Sequence, residues 1–407
     1  MRPFVAYKLK SFPNVSETFI VSNVVYALKN KCKVRLYVNK YMGVSNSSQA
    51  DILRQYNIGE KIEKPFSLSK KKVIRWCQLA YMAIHPRILS YLFTYYKNKS
   101  KRNTKPLLEL YQYRHFKQNG VCHVHFNNAL HPLPKLAKVG YIRPKIIVTF
   151  HGFDAFLENR ESFQKKYGLF YRKHVKAVTV NSQYLKRQLL TLGIAENKIH
   201  IVPIGIDITD FKGTEKQLNP NQPTKLITVG RLVPLKGHRF ALETVKKLKE
   251  GGYPVEYTIW GAGESLDTLQ KQVAELGLTD VILFKGKASQ EEVKQALQES
   301  HIFLMPSTYD EVTGRREAFG LVSLEAQATG LPVIGFNSGG FPNTLKDGET
   351  GFAVADRDST EMAEKVKYLI DNPIVYESMS KNAMKHAANF DHQYTTQRYI
   401  DLYEKLA

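Results

Sequence analysis

The chain has 407 residues, 43% of them hydrophobic, and a formal net charge of +22. That length exceeds one average domain, and the apolar content is enough for real cores, so two domains of ordinary size are expected. Cys32, Cys77 and Cys122 lie far apart without metal-ligand spacing; they suggest neither a disulfide framework nor a zinc site, and a reducing cytoplasm is the expected compartment.

Along the chain, strands and helices alternate. FVAYKLK (residues 4–10) reads as a strand, not as the apolar core of a signal peptide. SETFIVSNVVYALKN (16–30) reads as a helix with Ser16 as N-cap, and VRLYVNK (34–40) as the next strand. Between Lys61 and Gly120, fourteen Lys/Arg stand against Glu63 and Glu109, a net +12 in one segment. Such a patch attracts polyanions. No nucleic-acid motif accompanies it, so no nucleic-acid partner is expected. Inside it, Val73 to Tyr96 is apolar and aromatic but interrupted by Arg75, His85, Pro86 and Arg87. Two short helices broken at the proline are predicted. Flanked by Lys70–Lys72 and Lys97–Arg102, they fit either a membrane-surface element on an anionic leaflet or plain helices packed on a sheet.

HVHFN (123–127), IIVTFHG (146–152) and AVTVNS (177–182) read as strands, with a helix from about Gln183, and IHIVPIGID (199–207) closes the first half. The pattern restarts with KLITVGR (225–231), PVEYTIWGAG (254–263), VILFKG (281–286), HIFLMPS (301–307) and LPVIGF (331–336), each followed by a helical pattern. Short apolar runs alternating with helices imply α/β architecture, with parallel sheets covered on both faces. The polar stretch from Gly213 to Thr224 is the candidate linker.

The most informative stretch runs from Pro306 to Val354. Glu317 and Glu325 are separated by seven residues, with a Phe319-Gly320-Leu321-Val322 turn between them that opens a helix. Unpaired N–H groups and the positive dipole end of such a helix suit a diphosphate. A carboxylate on each side can accept hydrogen bonds from the hydroxyls of a sugar and a ribose. Upstream, Arg231 and Lys236 stand at a strand end, where two cations can neutralise charge building on a departing nucleoside diphosphate. The Asp356-Arg357-Asp358 triplet has the D-x-D shape that holds a metal elsewhere, but it precedes a helical pattern and capping suffices, so no metal is expected.

The ordered string E-x₇-E, then GLPVI, SGG and DGETGF, resembles the donor site of retaining glycosyltransferase family 4. The Ser16-Glu17-Thr18 loop and the Asp310–Arg316 insertion resemble its colanic-acid and exopolysaccharide subgroup. The resemblance implies the GT-B fold: two Rossmann-like doubly wound domains facing across a cleft. The expected bounds are 1–206 for an acceptor-binding domain, to which a crossing helix at 389–407 returns, and 207–388 for a nucleotide-sugar-binding domain. It also implies that Arg231, Lys236, Gly320, Leu321 and Val322 hold the diphosphate. Glu317 would position the sugar and Glu325 the ribose. Lys287 lies in a loop (284–288) that would contact the base, and His151 would orient the sugar. The expected reaction moves a sugar with retention, without metal or cofactor, from a nucleoside diphosphate sugar (a UDP-sugar favoured) to a growing, lipid-linked polysaccharide. It would take place in the cytoplasm, at the inner face of the cell membrane. A non-catalytic glycan-assembly partner and a sugar-nucleotide epimerase on the same fold are the alternatives.

Overall fold

The computed structural model describes residues 2–14, 17–47, 49–96, 103–116, 120–143 and 145–407. Ser16 and Lys97–Arg102 lie outside the described residues. The chain divides into two compact units. The first comprises Met1–Val180, Lys186–Val202 and Thr396–Ala407; the second comprises Asn181–Leu185 and Pro203–Thr395.

The first unit is built on seven parallel strands: β1 (Phe4–Phe12), β2 (Lys33–Tyr41), β3 (Ile62–Glu63), β4 (Val121–His125), β5 (Lys145–Phe150), β6 (Val175–Val180) and β7 (Ile199–Ile201). Their order is β3-β2-β1-β4-β5-β6-β7. The order reverses between β1 and β4, where doubly wound sheets place ligands at the carboxyl ends of the strands. Val5, Tyr7 and Leu9 of β1 share one core with Ile20 and Val24 of the Thr18–Lys29 helix and with Ile400 and Tyr403 of the last helix, His392–Leu406. The chain thus returns to the first sheet at its end, and the Tyr7 hydroxyl meets that of Tyr403 at 3.3 Å. Pro203 follows β7 by two residues and cannot donate to a ladder, which is why IHIVPIGID supplies only three strand residues.

The second unit holds β8 (Thr224–Val229), β9 (Val255–Trp260), β10 (Ile282–Gly286), β11 (Ile302–Met305), β12 (Val333–Phe336) and β13 (Gly351–Val354), again all parallel, in the order β10-β9-β8-β11-β12-β13. The switch point falls between β8 and β11. The Arg231–Lys236 loop leaves the end of β8, and the chain to Glu317 leaves the end of β11, so topology alone brings them together.

The expected linker is corrected by the structure. Gly213–Thr224 lies wholly within the second unit. The Gly213 N–H donates to the Ala328 carbonyl at 3.2 Å, and the Lys216 N–H donates to Ser380 Oγ at 2.9 Å. Proline and asparagine there impose an irregular backbone, but its polar groups are satisfied by the unit they cross. The prediction of two helices broken at Pro86 holds: they span Lys72–Ala83 and Pro86–Tyr96.

Candidate functional site

A cleft of about 480 Å³ opens at the switch point of the second unit. Its lining includes Arg231, Lys236, Glu317, Gly320, Leu321, Val322 and Glu325, so seven of the predicted residues are neighbours in space. Two glycines make this possible. Gly237 ends the Arg231–Lys236 loop at φ 62°, and a Cβ there would lie 1.9 Å from the Pro306 carbonyl oxygen. Gly320 takes φ 91° as the N-cap of the Leu321–Ala328 helix, turning the chain so that Leu321 and Val322 start the helix at the cleft wall. The first N–H groups of that helix have no intrahelical acceptor and are available to an anion.

The two carboxylates differ sharply. Glu317 Oε2 accepts a hydrogen bond from Lys236 Nζ at 2.5 Å, with both side chains mostly shielded. Burial pushes its acidity down, but the Lys236 charge and hydrogen bond, with the Phe319 and Ala318 N–H groups, outweigh it and hold its pKa below the ordinary value. The Glu325 carboxylate, within the Leu321–Ala328 helix, has no hydrogen-bond or ionic partner among the described residues. Burial alone pushes its pKa up to about 7. The Arg231 side chain is exposed at the cleft edge, while its carbonyl accepts from His238 Nε2 at 3.0 Å. Burial lowers the His238 pKa to about 4, so this imidazole is neutral and serves as a fixed donor to the loop backbone.

Lys287 is exposed and is not part of the wall, although the adjacent Ala288 and Ser289 are. Phe211, Ser289 and Gln290 line the cleft without having been predicted. Ser289 had a legible signal, the S-x-x-E capping box with Glu292 that starts the Gln290–Glu299 helix. Phe211 had none, because it arrives from a stretch with no regular structure. Asp356 and Asp358 act separately. Asp358 caps its helix by accepting from Thr360 and Glu361 N–H groups at 3.0 and 2.9 Å, whereas Asp356 pairs with Arg316. Among the described residues no cluster of His, Cys, Asp or Glu has the makings of a metal site.

His151 belongs to the first unit, at the carboxyl end of β5. Its Nε2 meets His125 Nδ1 at 3.0 Å, its Nδ1 is buried without a partner, and the rings of Phe19 and Phe126 flank it. Burial, then the neighbouring His125, keep its pKa well below the ordinary value, so it is neutral. Asp154 fixes the turn by accepting from the His151 and Gly152 N–H groups at 3.0 and 3.2 Å. His123 and His125 are fully buried. They line no open surface. His123 bridges Tyr403 and Thr149, and His125 supports His151.

Two parallel sheets of this order, with a cleft at the switch point of the second, are the architecture of the GT-B class of glycosyltransferases. The family model described as "Glycosyltransferase Family 4" matches residues 78–210, and that described as "Glycosyl transferases group 1" matches residues 211–386. The chain belongs to this glycosyltransferase family. It is 25% identical over 381 residues to the putative colanic acid biosynthesis glycosyltransferase WcaL of Escherichia coli, covering 89% of each chain. It is 27% identical over 361 residues to the amylovoran biosynthesis glycosyltransferase AmsK of Erwinia amylovora, covering 86% of this chain and 87% of that one. In fold it matches Anabaena HepE, solved in complex with UDP, with a TM-score of 0.71 at 16% identity, over 99% of this chain and all of that one. A glycosyltransferase from Rickettsia africae matches with a TM-score of 0.70 at 19% identity, over 100% and 99% of the two chains.

Proposed function

We propose that this glycosyltransferase moves a sugar from a UDP-sugar, with retention, to a hydroxyl of a growing, lipid-linked exopolysaccharide. The observation that carries the donor reading is one cleft holding two cations, a helix N-terminus and two carboxylates, of which Glu317 is paired with Lys236 and Glu325 is not. Arg231, Lys236 and the N–H groups of Leu321 and Val322, with Gly320 allowing close approach, take the diphosphate. Glu317 accepts from sugar hydroxyls and Glu325 from ribose hydroxyls. Lys287, next to the wall residue Ala288, is assigned to the base. His151 offers a neutral ring with one unpartnered nitrogen, suited to a hydrogen bond with a sugar hydroxyl. UDP in the HepE complex supports the choice of base, and WcaL and AmsK support the exopolysaccharide.

In the step proposed, the bond from the anomeric carbon to the diphosphate oxygen breaks and a bond to the acceptor oxygen forms. The acceptor's proton passes to the departing diphosphate. The two side-chain cations and the helix dipole offset the charge that accumulates there, which is the part of the barrier such a site lowers most. The test is UDP release from a panel of UDP-sugars with and without an acceptor oligosaccharide, with the product's anomeric configuration read by NMR. Acceptor-dependent release with retention, surviving excess chelator, is expected. Inversion would refute the mechanism, and loss of turnover restored by magnesium or manganese would refute its metal independence.

A further inference from the structure

The helices Lys72–Ala83 and Pro86–Tyr96 are apolar on more sides than their packing uses. Each is anchored by a short inner row: Leu79 and Met82 in one, Ile88 and Tyr95 in the other are buried. On the opposite side, Val73 is 74% exposed, Trp76 63%, Ile84 70%, Leu89 61% and Phe93 78%. The spacing 73-76-80-84 keeps one stripe of the first helix facing outward, and 89-93 does the same for the second. A soluble surface helix normally turns polar residues outward; here the outward stripe is apolar as well.

Charge identifies what covers it. From residue 64 to residue 108 there is no Asp or Glu, while Lys64, Lys70, Lys71, Lys72, Arg75 and six further Lys/Arg lie there. Lys70, Lys71, Lys72 and Arg75 are all exposed at the start of the first helix. A second copy would bring the same one-signed charge against itself. Nucleic acid would use the cations but leave Val73, Ile84 and Leu89 unmatched. No described helix is long and apolar enough to cross a membrane. An apolar stripe bordered by cations matches the acyl and phosphate layers of an anionic bilayer.

We propose that this face docks the protein on an anionic lipid bilayer, with Trp76, Ile84, Leu89 and Phe93 entering the interface and Lys70–Lys72 and Arg75 lying against lipid phosphates. Such docking would set the first unit beside a membrane-borne acceptor, but vesicle binding needs no donor, so its failure would leave the sugar-transfer reading intact.

The test is sedimentation with phosphatidylcholine vesicles, with and without phosphatidylglycerol. Binding to the anionic vesicles at low salt is expected, fading as the Debye length shrinks toward ~3 Å at 1 M. Each basic residue near the surface contributes about fivefold in partitioning, so Lys70→Glu, Lys71→Glu and Lys72→Glu together should lower it by at least about 100-fold. Trp76→Ser with Phe93→Ser keeps the charge and should lower partitioning at least about tenfold. In a Trp260→Phe protein, Trp76 is the sole tryptophan, and its emission should shift to the blue on anionic vesicles. That readout needs no change to the docking face. An unshifted Trp76, no binding at low salt, or undiminished binding by the serine variant would overturn the proposal. So would concentration-dependent self-association abolished by the serine variant, which would make a second copy the occupant.

Discussion

If Glu325 receives the ribose as proposed, donor binding should depend on pH in a way that can be worked out beforehand. Burial moves its pKa from an ordinary 4.5 to about 7. Ionising it in the empty cleft therefore costs on the order of 3 kcal/mol more than in water. If ribose hydroxyls donate to its carboxylate, the bound complex favours the ionised form and returns the pKa toward its ordinary value. Linkage then makes nucleotide-sugar affinity weaker by on the order of 50–100-fold at pH 5 than at pH 8, with most of the change below pH 7. Neither Glu317 nor His238 competes in this window, since Glu317 titrates below the ordinary carboxylate range and His238 near 4. Calorimetry with UDP-glucose is the assay, because a diphosphate diester stays ionised throughout. Glu325→Gln should flatten the profile. Stability supplies a second readout. The folded protein holds a proton that the unfolded chain releases, so this group's contribution is complete below about pH 4.5 and is lost as pH rises through about 7. The melting temperature of Glu325→Gln relative to wild type should therefore climb from pH 5 to pH 8. A wild-type affinity independent of pH, or an unchanged slope in the glutamine variant, would refute the ribose assignment.

Arg231→Ala and Lys236→Ala should each lower kcat/KM by about 10²–10³-fold in steady-state transfer, the scale for losing one preorganised stabiliser of developing charge. Glu317→Gln should lower kcat more than it raises donor KM, and in a double-mutant cycle with Lys236→Ala the two losses should not add, because each removes the same ion pair. Gly237→Ala should lower stability by roughly 2–4 kcal/mol in urea unfolding, since the new Cβ meets the Pro306 carbonyl and the left-handed backbone is also disfavoured.

Strand identity was largely legible because parallel strands buried on both faces appear as bare apolar runs, as in Ile302–Met305 and Val333–Phe336. The two-residue β3 was not, since Ile62–Glu63 carries no run at all and is strand only because β2 lies beside it. Gly213–Thr224 misled because proline and asparagine report irregular backbone, not a boundary; the unit to which such backbone docks is decided by distant groups such as Ser380. In the cleft, the chemical types were legible from E-x₇-E and the Arg231–Lys236 loop. The partnerships were not. Lys236 and Glu317 are 81 positions apart in the chain, and no local pattern announces that one of two similar glutamates takes the lysine of the wall.

That partnership has a consequence for the order of events at the site. Before a donor arrives, the charge of Lys236 is already engaged by Glu317, and Arg231 is the cation exposed at the edge. On the donor assignment proposed above, an incoming diphosphate would therefore meet Arg231 and the helix N-terminus first. For Lys236 to reach the diphosphate it must share or surrender its bond to Glu317, and the freed carboxylate oxygen becomes the acceptor that a sugar hydroxyl requires. A nucleoside diphosphate without the sugar would offer the exchange no second half: Lys236 would gain a phosphate, but the shielded Glu317 would keep only the Phe319 and Ala318 N–H groups, which offsets part of the gain. The sugar hydroxyls restore the lost hydrogen bonds. On the proposed assignment, the ion pair couples recognition of the sugar to capture of the diphosphate, so that the full donor, and not the nucleotide alone, is what completes the site.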